Sequence, residues 1–258
     1  MKTAIPTILI GLACVLPARA EPGENRYIER LEPFIQKTMQ EAKVPGLAVG
    51  IVEAGRPVYV RGFGVMDARD PARPVSAETL FHMASITKPF VATSVMQLAE
   101  RGRLDLDAPI TRYLPYFQLK DPRYRAITVR LMLTHTSGMP DVEGYGWDKP
   151  EFDDGALERY VRSLRDKSLR WEPGRKFAYS NMAYEVLGDL VAKVSGMSFE
   201  DYVTKNILKP ADDGFLTAAV MLPARKTGVV VLINSDRAPL HAIERKALLV
   251  ALDEDQRG

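Results

Sequence analysis

Gly228-Val229-Val230-Val231-Leu232-Ile233 is the stretch on which the fold turns. An uncharged run of branched aliphatic residues reads as a strand buried in mid-sheet rather than at an edge. Upstream of it, Phe215–Leu222 reads as a second strand and Pro223–Lys226 as the turn between them. The remaining strands come from the other end of the chain. Leu47–Val52 and Pro57–Phe63 are rich in Val and Ile, and Glu53-Ala54-Gly55-Arg56 between them is a turn, so they read as a β-hairpin.

The middle of the chain is helical. Helices are expected over 31–43, with Ile35, Thr38, Met39 and Ala42 on one face, and over the residues after Ser85, with Val91, Val95 and Leu98 aligned and Gly102 as the stop. Further helices are expected at Thr128–Thr134, Ala156–Leu169, Asn181–Val194 and Phe199–Ile207, and Pro239–Leu252 closes the chain. Asp67–Pro74, with two prolines and alternating charges, reads as a surface loop. Residues 104–126, interrupted by Pro109, Pro115 and Pro122, read as irregular chain over the surface, and 141–154 as a long loop carrying Tyr145 and Trp147. Strands from both termini with a helical lobe inserted between them define an α+β fold: an antiparallel sheet flanked by terminal helices.

Composition narrows the function. The chain has 258 residues, 26% of them charged, and a formal charge of +2, which gives no push toward nucleic acid or acidic partners. Residues 1–20 read as a signal peptide: Lys2, the apolar Ile5–Leu16, and the cleavage site Ala18-Arg19-Ala20, giving a mature chain from Glu21 that is exported, periplasmic or secreted. Loss of Lys2 and Arg19 takes the formal charge from +2 to zero. The single cysteine, Cys14, leaves with this segment; a lipoprotein reading of Leu12-Ala13-Cys14 is the alternative, with Gly11 against it. After the leader no apolar run is long enough for a membrane span. His82, His135 and His241 have no metal-ligand spacing, so neither metal nor cofactor is expected; His82 and His135 read as structural, His135 as shaping a turn.

Two short constellations carry chemistry. In Ser85-Ile86-Thr87-Lys88 the spacing puts both side chains on one face of a helix, within reach of each other. A serine hydroxyl needs such a base, and a neutral lysine amine can serve where its surroundings lower its proton affinity. By itself the tetrapeptide is equally a helix start with a solvated lysine. Phe177-Ala178-Tyr179-Ser180-Asn181 places a phenol and an amide together on a loop entering a helix. The phenol could relay a proton and the amide could bind a substrate carbonyl or the lysine; a packed Tyr and an N-capping Asn are the plain alternative.

Three segments occur in order: Phe81-x-x-x-Ser85-x-x-Lys88-Pro89-Phe90, Leu131-Met132-Leu133-Thr134-His135-Thr136-Ser137-Gly138-Met139-Pro140, and Trp171-x-Pro173-Gly174-x-x-Phe177-x-Tyr179-Ser180-Asn181-x-x-Tyr184-x-x-Leu187-Gly188. Together they closely resemble the serine β-lactamase-related family: class C β-lactamases, penicillin-binding D,D-peptidases and the esterases like them. Val44–Val49 and Gly228–Asn234 are similar to the family's terminal strands. The resemblance implies a serine hydrolase in which Ser85 is acylated, Lys88 is the base or proton shuttle, Tyr179 the phenol, and Asn181 a substrate contact. The Ser85 backbone N–H would form half the oxyanion hole. The implied partners are small-molecule or peptide substrates, namely esters, β-lactams or D-Ala-type peptides.

The sequence departs from the family in one place. Lys226-Thr227-Gly228 is similar to the family's third motif, but it follows Gly214-Phe215 and a strand, where the family has its closing hairpin turn. The third motif belongs just before Asp212-Asp213-Gly214-Phe215, and Lys209-Pro210-Ala211 stands there instead. An internal deletion near Pro210-Ala211 is the expectation, with loss of the motif strand and its oxyanion donor. The alternative function is therefore an impaired or inactive remnant that at most binds such ligands.

Overall fold

The structure is a computed structural model and describes residues 25–82, 84–144, 146, 148–209, 220–222, 227–233 and 240–252. The expected leader and its cleavage site, Tyr145, Trp147, the Pro210-Ala211 junction, Gly214-Phe215 and Lys226 lie outside the described residues. The chain divides into two compact units, Met1–Phe81 with Ala218–Gly258, and His82–Thr217.

The first unit is the sheet. Its elements are α1 (Asn25–Arg30), α2 (Glu32–Ala42), β1 (Gly46–Glu53), β2 (Arg56–Asp67), β3 (Asp70–Pro74), then β4 (Val220–Leu222), β5 (Thr227–Ile233) and a closing helix, Leu240–Ala251. The five strands lie in the order β3-β2-β1-β5-β4, every pairing antiparallel. The Gly228–Ile233 run is thus in mid-sheet, pairing with β1 (Leu47 opposite Ile233, Ile51 opposite Val229) and with β4 (Leu222 opposite Thr227). Leu47, Val49 and Ile51 alternate onto the buried face of β1. They share one core with Ile35 of α2, Val229 and Val231 of β5, and Ile243, Ala247 and Val250 of the closing helix.

Asp67–Pro74 is not a loop: β2 continues to Asp67, and Asp70–Pro74 pairs with it as an edge strand. Prolines and charges are what an edge strand tolerates, because one side of its backbone has no partner to satisfy, and all five β3 residues are exposed.

The second unit is helical: α3 (Thr87–Glu100), α4 (Val129–Leu133), α5 (Ala156–Ser163), α6 (Asn181–Ser195) and α7 (Phe199–Val203, continued by a π-helical turn to Leu208). With these in chain order, the closing helix Leu240–Ala251 is α8. Helix α6 is buried along Met182, Ala183 and Val186–Val191, as expected of a helix apolar on most of its circumference. Residues 104–126 do not run over the surface. Their backbone is irregular, with short 3₁₀ turns, but Leu104, Ile110, Leu114, Phe117, Leu119 and Tyr124 all enter the core around α6. Proline spacing reported the backbone correctly and hid the apolar residues between the prolines.

Candidate active site

Ser85 sits in a 3₁₀ turn, Ala84–Ile86, that feeds directly into α3. Ala84, just before it, holds a left-handed backbone (φ 47°), a conformation that costs an L-residue about 1–2 kcal/mol and recurs at functional sites. Lys88 follows in the first turn of α3, and its Nζ donates to Ser85 Oγ at 3.2 Å. Tyr179 and Asn181 arrive on the loop that enters α6. The Tyr179 hydroxyl lies 2.7 Å from Ser85 Oγ, and Lys88 Nζ donates to Asn181 Oδ1 at 2.5 Å. Lys88 Nζ is also 4.8 Å from the Tyr179 ring centre and 5.6 Å from that of Tyr184. Lys88 and Tyr179 therefore meet at the Ser85 hydroxyl, and Asn181 joins them through Lys88.

The loop before α6 is held from three sides. Ser180 is buried; its Oγ accepts the Ala183 N–H at 3.1 Å and donates to the Pro140 carbonyl at 2.7 Å. This makes Ser180, not Asn181, the N-cap of α6. Ser180→Ala removes the cap and strands a buried carbonyl. The expected loss is about 2 kcal/mol of stability, read as a lower urea midpoint with an unchanged m-value.

In the sequence Asp141 reads only as part of the long loop over 141–154. Its Oδ1 accepts both the Asn181 backbone N–H (2.8 Å) and Asn181 Nδ2 (3.0 Å). This fixes the amide so that Oδ1 faces Lys88, and it leaves one Nδ2 hydrogen for another acceptor. Burial alone would raise the Asp141 carboxyl; the hydrogen bonds from Asn181 and Val142, with the Lys88 charge, outweigh it and hold it ionised below the usual range. The only signal in the sequence was its place one residue after Met139-Pro140.

His135 stands in the site, and Phe177 beside it is largely exposed. His82 lies near the serine turn, with Nδ1 accepting the Ala84 N–H at 3.2 Å. The side chain of His241 lies outside the described residues. A cavity of about 490 Å³ opens beside the serine, lined among others by Ser85, Lys88, Asn181, Tyr184, Glu185 and Phe199. Among the described residues no three His, Cys, Asp or Glu side chains gather as a metal-ligand set, and no helix is long and apolar enough to cross a membrane. Thr227-Gly228, the look-alike third motif, opens the mid-sheet strand β5 of the other unit, paired on both sides.

An α+β fold with a sheet from both termini and a Ser–Lys–Tyr cluster on a helical lobe defines the β-lactamase/transpeptidase-like class. The beta-lactamase family model matches residues 31–215, and the chain belongs to that family. It is 35% identical over 204 residues to esterase EstB of Burkholderia gladioli, covering 73% of this chain and 52% of that protein. Among solved structures it is similar to the octameric penicillin-binding protein homologue from Pyrococcus abyssi (TM-score 0.62, 27% identity, 88% of this chain and 57% of that one). It is also similar to EstCE1, a hydrolase with promiscuous acyltransferase activity (TM-score 0.63, 25% identity, 80% and 59%). The chain spans about half the length of esterase EstB.

Proposed function

We propose that the chain is a serine hydrolase that works through an acyl-enzyme on Ser85, with carboxylic esters as its first substrate class. The observation that supports it is the cluster itself: one serine oxygen within hydrogen-bond distance of both a lysine amine and a phenol. In this reading Lys88, once neutral, takes the Ser85 proton as Oγ attacks the carbonyl carbon. The oxyanion forms against the Ser85 backbone N–H. Tyr179 hands a proton to the departing oxygen, the C–O bond breaks, and water later releases the acid and restores Ser85. EstB is named an esterase, which favours esters over β-lactams and D-Ala-type peptides.

A second reading is a binding remnant with weak turnover. Ser85 is exposed, and no second oxyanion donor is assigned among the described residues. One missing donor costs about 10²–10³ in rate. The deletion inferred at Pro210-Ala211 belongs to this reading. Intact-mass spectrometry with a fluorophosphonate and, separately, a penicillin tests both readings against Ser85→Ala. An adduct absent from Ser85→Ala supports the acyl-enzyme, and steady ester turnover then separates an enzyme from a remnant. No adduct on folded protein sinks the first reading.

A further inference from the structure

We propose that His135 is the positioning residue that holds Tyr179 against Ser85, and that only its uncharged imidazole can do so. The proposal rests on the acyl-enzyme reading for its catalytic consequence, but its geometry stands without it. The residues on both sides of Tyr179 are fastened to this one histidine. The Ala178 N–H donates to the His135 carbonyl at 2.7 Å, and the Ser180 N–H donates to His135 Nδ1 at 3.2 Å. The ring between these anchors is stacked on the phenol itself, with centroids 4.4 Å apart and planes 27° from parallel. Its other neighbours are Tyr184 at 4.9 Å and the edge of Phe177 at 5.7 Å. Tyr179 is therefore gripped by backbone on either side and by an aromatic face. Its hydroxyl has little freedom to leave Ser85 while the grip holds.

The grip depends on protonation state. A nitrogen that accepts a hydrogen bond carries no proton, so the bond from Ser180 assigns the ring hydrogen to Nε2. A second proton would sit on Nδ1 and face the Ser180 N–H, donor against donor. The charged and titratable groups around the ring are Lys88 from α3, Asp141 from the loop that His135 begins, and the phenols of Tyr179 and Tyr184. Burial first, then the Lys88 charge, push the imidazole below the ordinary histidine value; Asp141 opposes them and loses. The folded site thus takes up a proton less readily than the unfolded chain. Acidification through the histidine range weakens this arrangement and leaves it intact at neutral pH. His135 also has a left-handed backbone (φ 55°), which histidine and asparagine tolerate better than most residues.

Asparagine is therefore the informative replacement. Its side-chain oxygen can take the Ser180 N–H, it accepts the backbone conformation, and it does not titrate. The test is the rate of fluorophosphonate adduct formation by the full chain between roughly pH 4 and 9, reaching well below the ordinary histidine value. If His135 must be uncharged, the logarithm of the parent's rate falls at low pH with a slope steeper by one than that of a protein without the imidazole. His135→Asn is expected to react within about tenfold of the parent at alkaline pH and to lack that extra unit of slope. Equal slopes in the two proteins would overturn the proposal. Histidine ¹⁵N NMR on the parent chain is an independent arm. One imidazole, assigned by its disappearance in His135→Asn or by its contacts to Tyr179, should be neutral with Nε2 protonated at about pH 6.5, and its titration should move the Tyr179 ring signals. A His135 that carries its hydrogen on Nδ1, or that is charged there, overturns the proposal even if the variant does not fold. If no Ser85-dependent adduct forms at any pH, the acyl-enzyme reading fails and the NMR arm decides the role of His135.

Discussion

Lys88→Met should form the Ser85 adduct about 10³-fold more slowly than the parent at neutral pH while melting within a few degrees of it. Lys88 Nζ touches both Ser85 Oγ and Asn181 Oδ1, at 3.2 Å and 2.5 Å, and it lies over the Tyr179 ring. Methionine fills a similar volume and removes the amine, so Ser85 keeps its place and loses its base. A positioned base contributes typically 10²–10⁴-fold, which sets the expected size. Lys88 is half-buried at the head of α3 and its direct partners, Ser85 Oγ and Asn181 Oδ1, are neutral; Asp141 loses a nearby charge but keeps its hydrogen bonds from Asn181 and Val142, so little stability is expected to change. Lys88→Arg separates charge from basicity. The guanidinium keeps the charge but cannot give up its proton in this pH range, so it should be nearly as slow as Lys88→Met. Adduct rates for Lys88→Met within tenfold of the parent would place the base elsewhere.

These expectations depend on a site that was readable in the sequence only as a set of partners. Ser85–Lys88 and Tyr179–Asn181 were legible because their spacing is local and because they occur in order with the His135 turn. Asp141 was not, because its role exists only once the loop after Pro140 lies against the start of α6. The stacking of His135 on Tyr179 was hidden in the same way: the two are joined by a packing contact across dozens of residues. At the level of the fold, the uniform apolar run of β5 announced a mid-sheet strand, since few other environments suit five adjacent aliphatic side chains. Edge strand β3 carried the opposite composition, and composition cannot distinguish an edge strand from a loop when one side of each is open to water. Residues 104–126 show the limit of breakers as signals. Three prolines forbid long helix there but do not forbid burial, and Phe117 and Leu119 are almost wholly enclosed.

Gly138→Val should be the most damaging single change in the turn that carries His135. Gly138 has φ 76°, where a β-branched residue is strongly disfavoured. A Cβ there would lie 2.2 Å from the Trp171 carbonyl oxygen, a backbone atom that no side-chain rotation can move aside. The two strands of chain that meet here are laced by three bonds. The Arg170 N–H donates to Gly138 O and the Gly174 N–H to Thr136 O, both at 2.8 Å, and the Ala178 N–H to His135 O at 2.7 Å. Opening the seam at Gly138 therefore loosens the same segment that delivers Tyr179. The left-handed conformation costs about 1–2 kcal/mol and the overlap about 1–3 more. A total near 4 kcal/mol corresponds to a melting temperature lower by roughly 10 °C for a unit of this size. Gly144→Val is the matched control: no heavy atom lies within 4 Å of the Cβ it would add, and its backbone is not left-handed, so its melt should be close to the parent's. Differential scanning calorimetry of the two variants, with adduct formation measured on the protein that remains folded, reads both effects. If Gly138→Val melts with the parent, the contact with Trp171 is not rigid. The seam would then take the side chain without opening, and adduct formation should match the parent's.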